Sequence, residues 1–144
     1  MENSPLINLC SLQLTAGLDD LEGIRHYIEA CLANLNLDAS KTYDIDLAVT
    51  ELVTNSLVHG YPEKSGWIGM EIRLAQQGLI VRICDRAPEF DPTNIAPPDL
   101  SLPLEKRTLG GMGIHLIRQI VVQMDYCRLP EGINEITLLF SPGS

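Results

Sequence analysis

The sequence predicts an α+β two-layer sandwich, a mostly antiparallel mixed sheet with three main helices on one face, as a single domain over residues 1–144. Two observations carry that expectation. Long segments of helical period share the chain with paired segments of period two, the mixture that packs helices against one face of a hairpin-built sheet. The length, with 45% hydrophobic and 20% charged residues, is also enough to bury a core without staples.

The elements follow in order. Residues 5–15 (PLINLCSLQLT) alternate loosely, with Ile7, Leu9, Leu12 and Leu14 apolar, which suits a half-buried strand with one irregularity. Asp19 and Asp20 favour a helix start, and Leu21, Ile24, Tyr27, Ile28, Cys31, Leu32 and Leu35 recur at helical spacing to about Asn36. The next helix, entered through residues 38–42 and stopped by Gly60 and Pro62, contains YDIDLAVTELVTNSLVHGY from Tyr43 to Tyr61. Its Ile45, Val49, Leu52, Val53 and Leu57 fall within a sector of about 140°, taking roughly 100° per residue, so that stripe faces a core. Trp67–Leu74 and Leu79–Cys84 alternate with period two across a short link, which predicts an antiparallel hairpin ending at Asp85. Five prolines between residues 86 and 109 (Pro88, Pro92, Pro97, Pro98, Pro103) exclude a regular element there. A loop that long in a compact domain is a functional or mobile segment. Gly110, Gly111 and Gly113 precede a helix over about 114–123, and strands near 125–129 and 135–140 close the chain across the turn 130–134.

Composition narrows the function. A net charge of -9 repels a polyanion, so direct nucleic-acid binding is not expected, whereas a basic protein partner would be steered in. No apolar run approaches the ~20 residues of a membrane span, and the first residues, MENSPLINLC, lack the basic and apolar parts of an export signal. A cytoplasmic protein with no membrane contact is the expectation. Cys10, Cys31, Cys84 and Cys127 form no CxxC pair and have no histidine at zinc-ligand spacing, so reduced and mostly buried thiols are expected.

Beside the core stripe of the central helix runs a second stripe, Asp44, Ala48, Glu51, Asn55 and His59, whose last three members step four residues at a time. A carboxylate, an amide and an imidazole along one helix edge describe, by themselves, a solvated rim before they describe a site. The glycines before the last helix suit close approach of an anion to unpaired helix N–H groups, and equally a flexible turn. Their spacing is neither that of a P-loop nor that of a dinucleotide-binding turn.

Taken together and in this order, ELVTNSLVHGY, DRAPEFDP and GGMGIHLIR resemble the three nucleotide-binding motifs of the GHKL, or histidine kinase-like, ATPase superfamily. Within it they are most similar to the small bacterial anti-sigma factors that are also serine protein kinases, the RsbW and SpoIIAB type. The likeness runs from about Asp44 to Phe140; the helix and glycine motifs match nearly position for position. The middle one departs, with Ala87 where the group usually has glycine and Glu89 where it has a small residue or proline.

The resemblance implies an ATP- and Mg2+-dependent serine/threonine kinase. Glu51 would be the catalytic base, Asn55 the magnesium ligand, and Asp85 the acceptor for the adenine amino group, supported through water by Thr137. Phe90, Gly110, Gly111, Met112 and Gly113 would belong to the nucleotide site through their motifs. Lys106, beside Arg107, would reach the phosphates from a lid over 93–108 or stay solvated, and His59 would touch a phosphate or close its helix against Tyr61. The implied substrate is a STAS-domain anti-sigma factor antagonist, and the implied second partner is a sigma factor held until unphosphorylated antagonist displaces it. The resemblance also allows a homodimer, without indicating a surface. Two other classes stand beside this one: a nucleotide-loaded module that sequesters its target with little transfer, and the ATP-binding half of a histidine kinase. The segment before the central helix, with His26 alone, is too short for the dimerisation hairpin the last would need.

Overall fold

The computed structural model describes residues 6–94, 101, 103 and 111–142, without the side chains of residues 111 and 112. Five strands among these residues form one sheet in the order β1-β2-β3-β5-β4: β1 Ile7–Gly17, β2 Ser65–Ala75, β3 Gly78–Asp85, β4 Gln123–Leu129 and β5 Ile133–Phe140. Every ladder is antiparallel, and the irregularity expected in β1 is a register shift between Asn8 and Cys10. Among the described residues three α-helices accompany the sheet: α1 Leu21–Leu32, α2 Ala39–Asn55 and α3 Gly111–Ile120.

The central helix packs as its periodicity requires. Ile45, Val49, Leu52, Val53 and Leu57 are all at most 5% exposed, beside the inward β-strand residues Ile72, Val81, Leu138 and Phe140. Each such buried side chain contributes about 1.5–3 kcal/mol. The last turn of this helix widens to a π turn over Ser56–Gly60, in which Tyr61 N–H reaches the Ser56 carbonyl at 2.8 Å. Helices that open this way commonly do so at sites. The third helix begins at the glycines and stops at Ile120, because Val122 N–H has already joined the sheet by donating to the Leu139 carbonyl at 2.7 Å. Gln123, expected as the helix end, therefore opens β4.

Two expectations are corrected here. The thiols are not all reduced: α1 lies against β1 and brings Cys10 and Cys31 into a disulfide, with Cα atoms 5.8 Å apart. That pairing is tertiary, set by helix-on-strand packing over 21 residues of separation, and no local spacing marks it. The free cysteines are not mostly buried either, since Cys84 is half-buried and Cys127 exposed.

A buried carboxyl group lies off the core stripe of α2. Asp46 of α2 is 8% exposed and its Oδ1 has no hydrogen-bond partner among the described residues. Burial, followed by a hydrogen bond and the negative charge of Glu29 on α1, pushes its carboxyl up to about 7, with Arg25 opposing. A folded-state value above the unfolded 3.8 means that the folded protein keeps a proton the unfolded chain gives up. The resulting stability is present in full below the unfolded value and is lost as pH rises through the folded one. Asp46→Asn should therefore melt higher than wild type at about pH 8 and flatten the decline from about pH 4. Parallel melting curves across that range would remove Asp46 from the pH response.

Candidate functional site

A cavity of about 320 Å³ lies between α2, the β3 end and α3. Its apolar walls are Leu52, Ile83, Ile114 and Ile136, and its polar groups include Asn55, Ser56, His59, Asp85 and Asn134. The sequence-predicted edge of the central helix thus arrives at the strand-end aspartate. The π turn contributes to this: it carries Ser56, His59 and Gly60 to the same cavity as Asn55. Gly60 is needed for close approach, because a Cβ there would come within 2.8 Å of the Ala87 methyl.

Asp85 is held from three sides. Its Oδ2 accepts the Ser56 hydroxyl at 2.5 Å, while its Oδ1 accepts Asn134 Nδ2 at 2.8 Å and the Ala87 N–H at 3.0 Å. The Ala87 contact is the short turn in which an aspartate bonds its own backbone two residues on. Asn134, only 4% exposed, also donates to the Ala87 and Pro88 carbonyls at 3.0 and 3.1 Å. Its own oxygen accepts Tyr126 Oη–H at 2.6 Å and Arg128 Nη1–H at 3.0 Å. The chain after the aspartate is consequently fixed as it passes the cavity, where Phe90 remains 52% exposed.

Glu51 is one turn before Asn55 and is not part of the cavity wall; it faces the first turn of α3. A Cβ added at Gly113 would fall on the Glu51 carboxylate, so glycine is what lets α3 sit on that side chain. The segment leading away from the cavity is also tied to α3. Arg118 donates to the carbonyls of Pro92, at 3.2 Å, and Thr93, and the Asp91 carboxylate accepts the Thr93 N–H at 2.9 Å.

The structure therefore gathers Asn55, His59, Asp85 and Phe90 around one space, with Glu51 and Gly113 in contact beside it and Gly111 opening α3. Thr137 does not join them. Strict alternation in β5 buries Asn134, Ile136 and Leu138 and turns Thr137 to the other face, where it pairs in register with Arg82 and Asp125. Asn134, opposite Asp85 in the β3–β5 register, takes the supporting place expected of Thr137. Lys106, Gly110 and the Met112 side chain lie outside the described residues. Ser56 and Asn134 are the site residues the sequence did not announce; the first lies inside the central helix segment and the second in the expected turn 130–134.

No group of three or more His, Cys, Asp or Glu side chains among the described residues could hold a metal ion by itself. The side-chain oxygen of Asn55 suits a hard cation that draws its other ligands from water and phosphate. No helix among the described residues is long and apolar enough to cross a membrane.

Comparison with known proteins agrees with this architecture. The family model for the histidine kinase-like ATPase domain matches residues 14–140. The serine-protein kinase RsbW of Listeria monocytogenes is 32% identical over 100 residues, covering 65% of this chain and 62% of that protein. The RsbW of Bacillus thuringiensis is 30% identical over 82 residues, covering 54% and 51%. The chain therefore spans only about half to three-fifths of the length of these relatives. The crystal structure of the RsbU and RsbW domains of a Mycobacterium tuberculosis protein superposes with a TM-score of 0.62 at 20% identity, over 92% of this chain and 32% of that one. That likeness is one of fold.

Proposed function

The chain belongs to the family of histidine kinase-like ATPase domains, and from that premise we propose that its cavity binds ATP for transfer of the terminal phosphoryl group to a protein serine or threonine. The observation that carries the reading is the convergence of α2, the β3 end and the first turn of α3 on one space, with Asn55 and Asp85 in its wall and Glu51 against Gly113. Asp85 offers carboxylate oxygens to the adenine amino group, while Ile83, Ile136 and Phe90 supply apolar surface to the base. Phosphates then extend along α2 toward His59 and the glycine-led start of α3, whose unpaired N–H groups and dipole favour anions. Gly110, Met112 and Lys106 belong to the same proposal through their motifs.

Asn55 is the residue that would hold Mg2+, a cation that neutralises charge on phosphoryl oxygens when bound. Glu51, one turn earlier, orients the incoming hydroxyl and accepts its proton. The apolar walls exclude water from the base, and Gly113 keeps the Glu51 carboxylate against α3 rather than in solvent.

The partner reading follows from the resemblance of the three motifs to those of anti-sigma factor kinases. A small STAS-type anti-sigma factor antagonist is the proposed phosphoacceptor, and a sigma factor is the proposed target of sequestration, with a homodimer as the proposed working form in the cytoplasm. The test is incubation with ATP labelled on its terminal phosphate and such an antagonist. Label on an antagonist serine or threonine is the expected result. Nucleotide bound with no transfer to any antagonist would instead favour a module that sequesters its partner without acting as a kinase.

A further inference from the structure

We propose that Asn134 and Arg128 determine which nucleobase the cavity accepts, by fixing Asp85 as a pure hydrogen-bond acceptor; the inference rests on the nucleotide reading above. An arginine can only donate, so the Asn134 atom that meets Arg128 Nη1 at 3.0 Å must be the amide oxygen. Tyr126 Oη–H donates to that oxygen as well, at 2.6 Å. With its oxygen end so assigned, Asn134 must turn its NH2 toward Asp85, and it does, at 2.8 Å from Oδ1. The Ala87 N–H, also an obligate donor, reaches the same Oδ1 at 3.0 Å. That oxygen therefore accepts from both, and the Ser56 hydroxyl donates to the other.

A carboxylate fixed in this way has only lone pairs left to offer. A base that presents an exocyclic amino group satisfies it, and a base that presents a carbonyl oxygen at the same position meets lone pair with lone pair. The chain of polarity begins on the exposed Arg128 in β4, passes through the buried Asn134 in β5 and ends on Asp85 in β3. Neither Arg128 nor Asn134 needs to touch the amino group; both are positioning residues that act through Asp85.

Inosine triphosphate is the discriminating probe, since hypoxanthine has the shape of adenine with a carbonyl in place of the amino group. Wild type should prefer ATP over inosine triphosphate by roughly ten- to a hundredfold, the worth of a hydrogen bond to a charged group. Asn134→Leu should lose most of that ratio through weaker ATP binding, with inosine triphosphate little changed. Arg128→Met, an exposed substitution that keeps an apolar stem, gives the same readout if the buried variant does not fold. Asn134→Asp adds a signature that general loosening would not produce. Two facing carboxylates share a proton at low pH, which leaves a donor for a carbonyl, and lose it as pH rises, so the preference for ATP over inosine triphosphate should be smallest at low pH and recover as pH rises. An ATP preference that survives unchanged in both Asn134→Leu and Arg128→Met would overturn the inference and leave the nucleotide site standing. Wild type binding neither nucleotide would overturn the nucleotide reading itself.

Discussion

Glu51→Gln is expected to bind ATP about as tightly as wild type and to transfer phosphate more slowly by on the order of 10²- to 10⁴-fold, the range general bases contribute. The substitution keeps the size and polarity of the side chain where it meets α3 at Gly113, so packing is preserved. What disappears is the capacity to take a proton from the attacking hydroxyl. Glu51 stands beside the cavity rather than in its wall, which is where a group serving the incoming protein hydroxyl, and not the base, should stand. Single-turnover transfer measured with ATP affinity from calorimetry separates the two effects. Unchanged transfer would take Glu51 out of the chemistry and leave it a structural contact of α3.

Asp85→Asn should act on binding instead of on transfer. The carboxylate now accepts from Ser56, Asn134 and Ala87 at once. An amide in its place must turn a donor toward one of those donors, or toward the adenine amino group. Either mismatch costs about 1–3 kcal/mol, and part of that cost should appear as a lower melting temperature without nucleotide. Calorimetry should show weaker ATP binding, with the saturated transfer rate less affected than affinity. Equal ATP affinity in the variant and wild type would contradict the placement of the base at Asp85.

Much of this arrangement was legible in the residues. The stripe Ile45, Val49, Leu52, Val53 and Leu57 faces the core because helical period and burial are local consequences of one another. The β2–β3 hairpin followed from two alternating runs and a short link. Asn55 and Asp85 could be named together because their motifs resemble those of one nucleotide site, and both do line one cavity. The rest depends on tertiary register. Asn134 reads as part of a turn until β5 is aligned with β3, which sets it opposite Asp85. Thr137 was misplaced although a signal was present: with Ile136, Leu138 and Phe140 facing inward, alternation alone sends Thr137 outward. The π turn over Ser56–Gly60, the Cys10–Cys31 bond and the buried Asp46 have no such local mark. Each arises where one element settles on another, which sequence periodicity does not encode.

The central claim is that adenosine triphosphate occupies the cavity between α2, the β3 end and α3 with its base on Asp85. Thermal unfolding of the wild-type protein with increasing ATP, GTP or neither, in the presence of Mg2+, tests it most directly, because a ligand that binds only the folded state raises the melting temperature with its concentration. The account predicts a rise with ATP that GTP does not match and that Asp85→Asn largely abolishes. Melting unmoved by ATP, or moved equally by both nucleotides and equally in the variant, would contradict it.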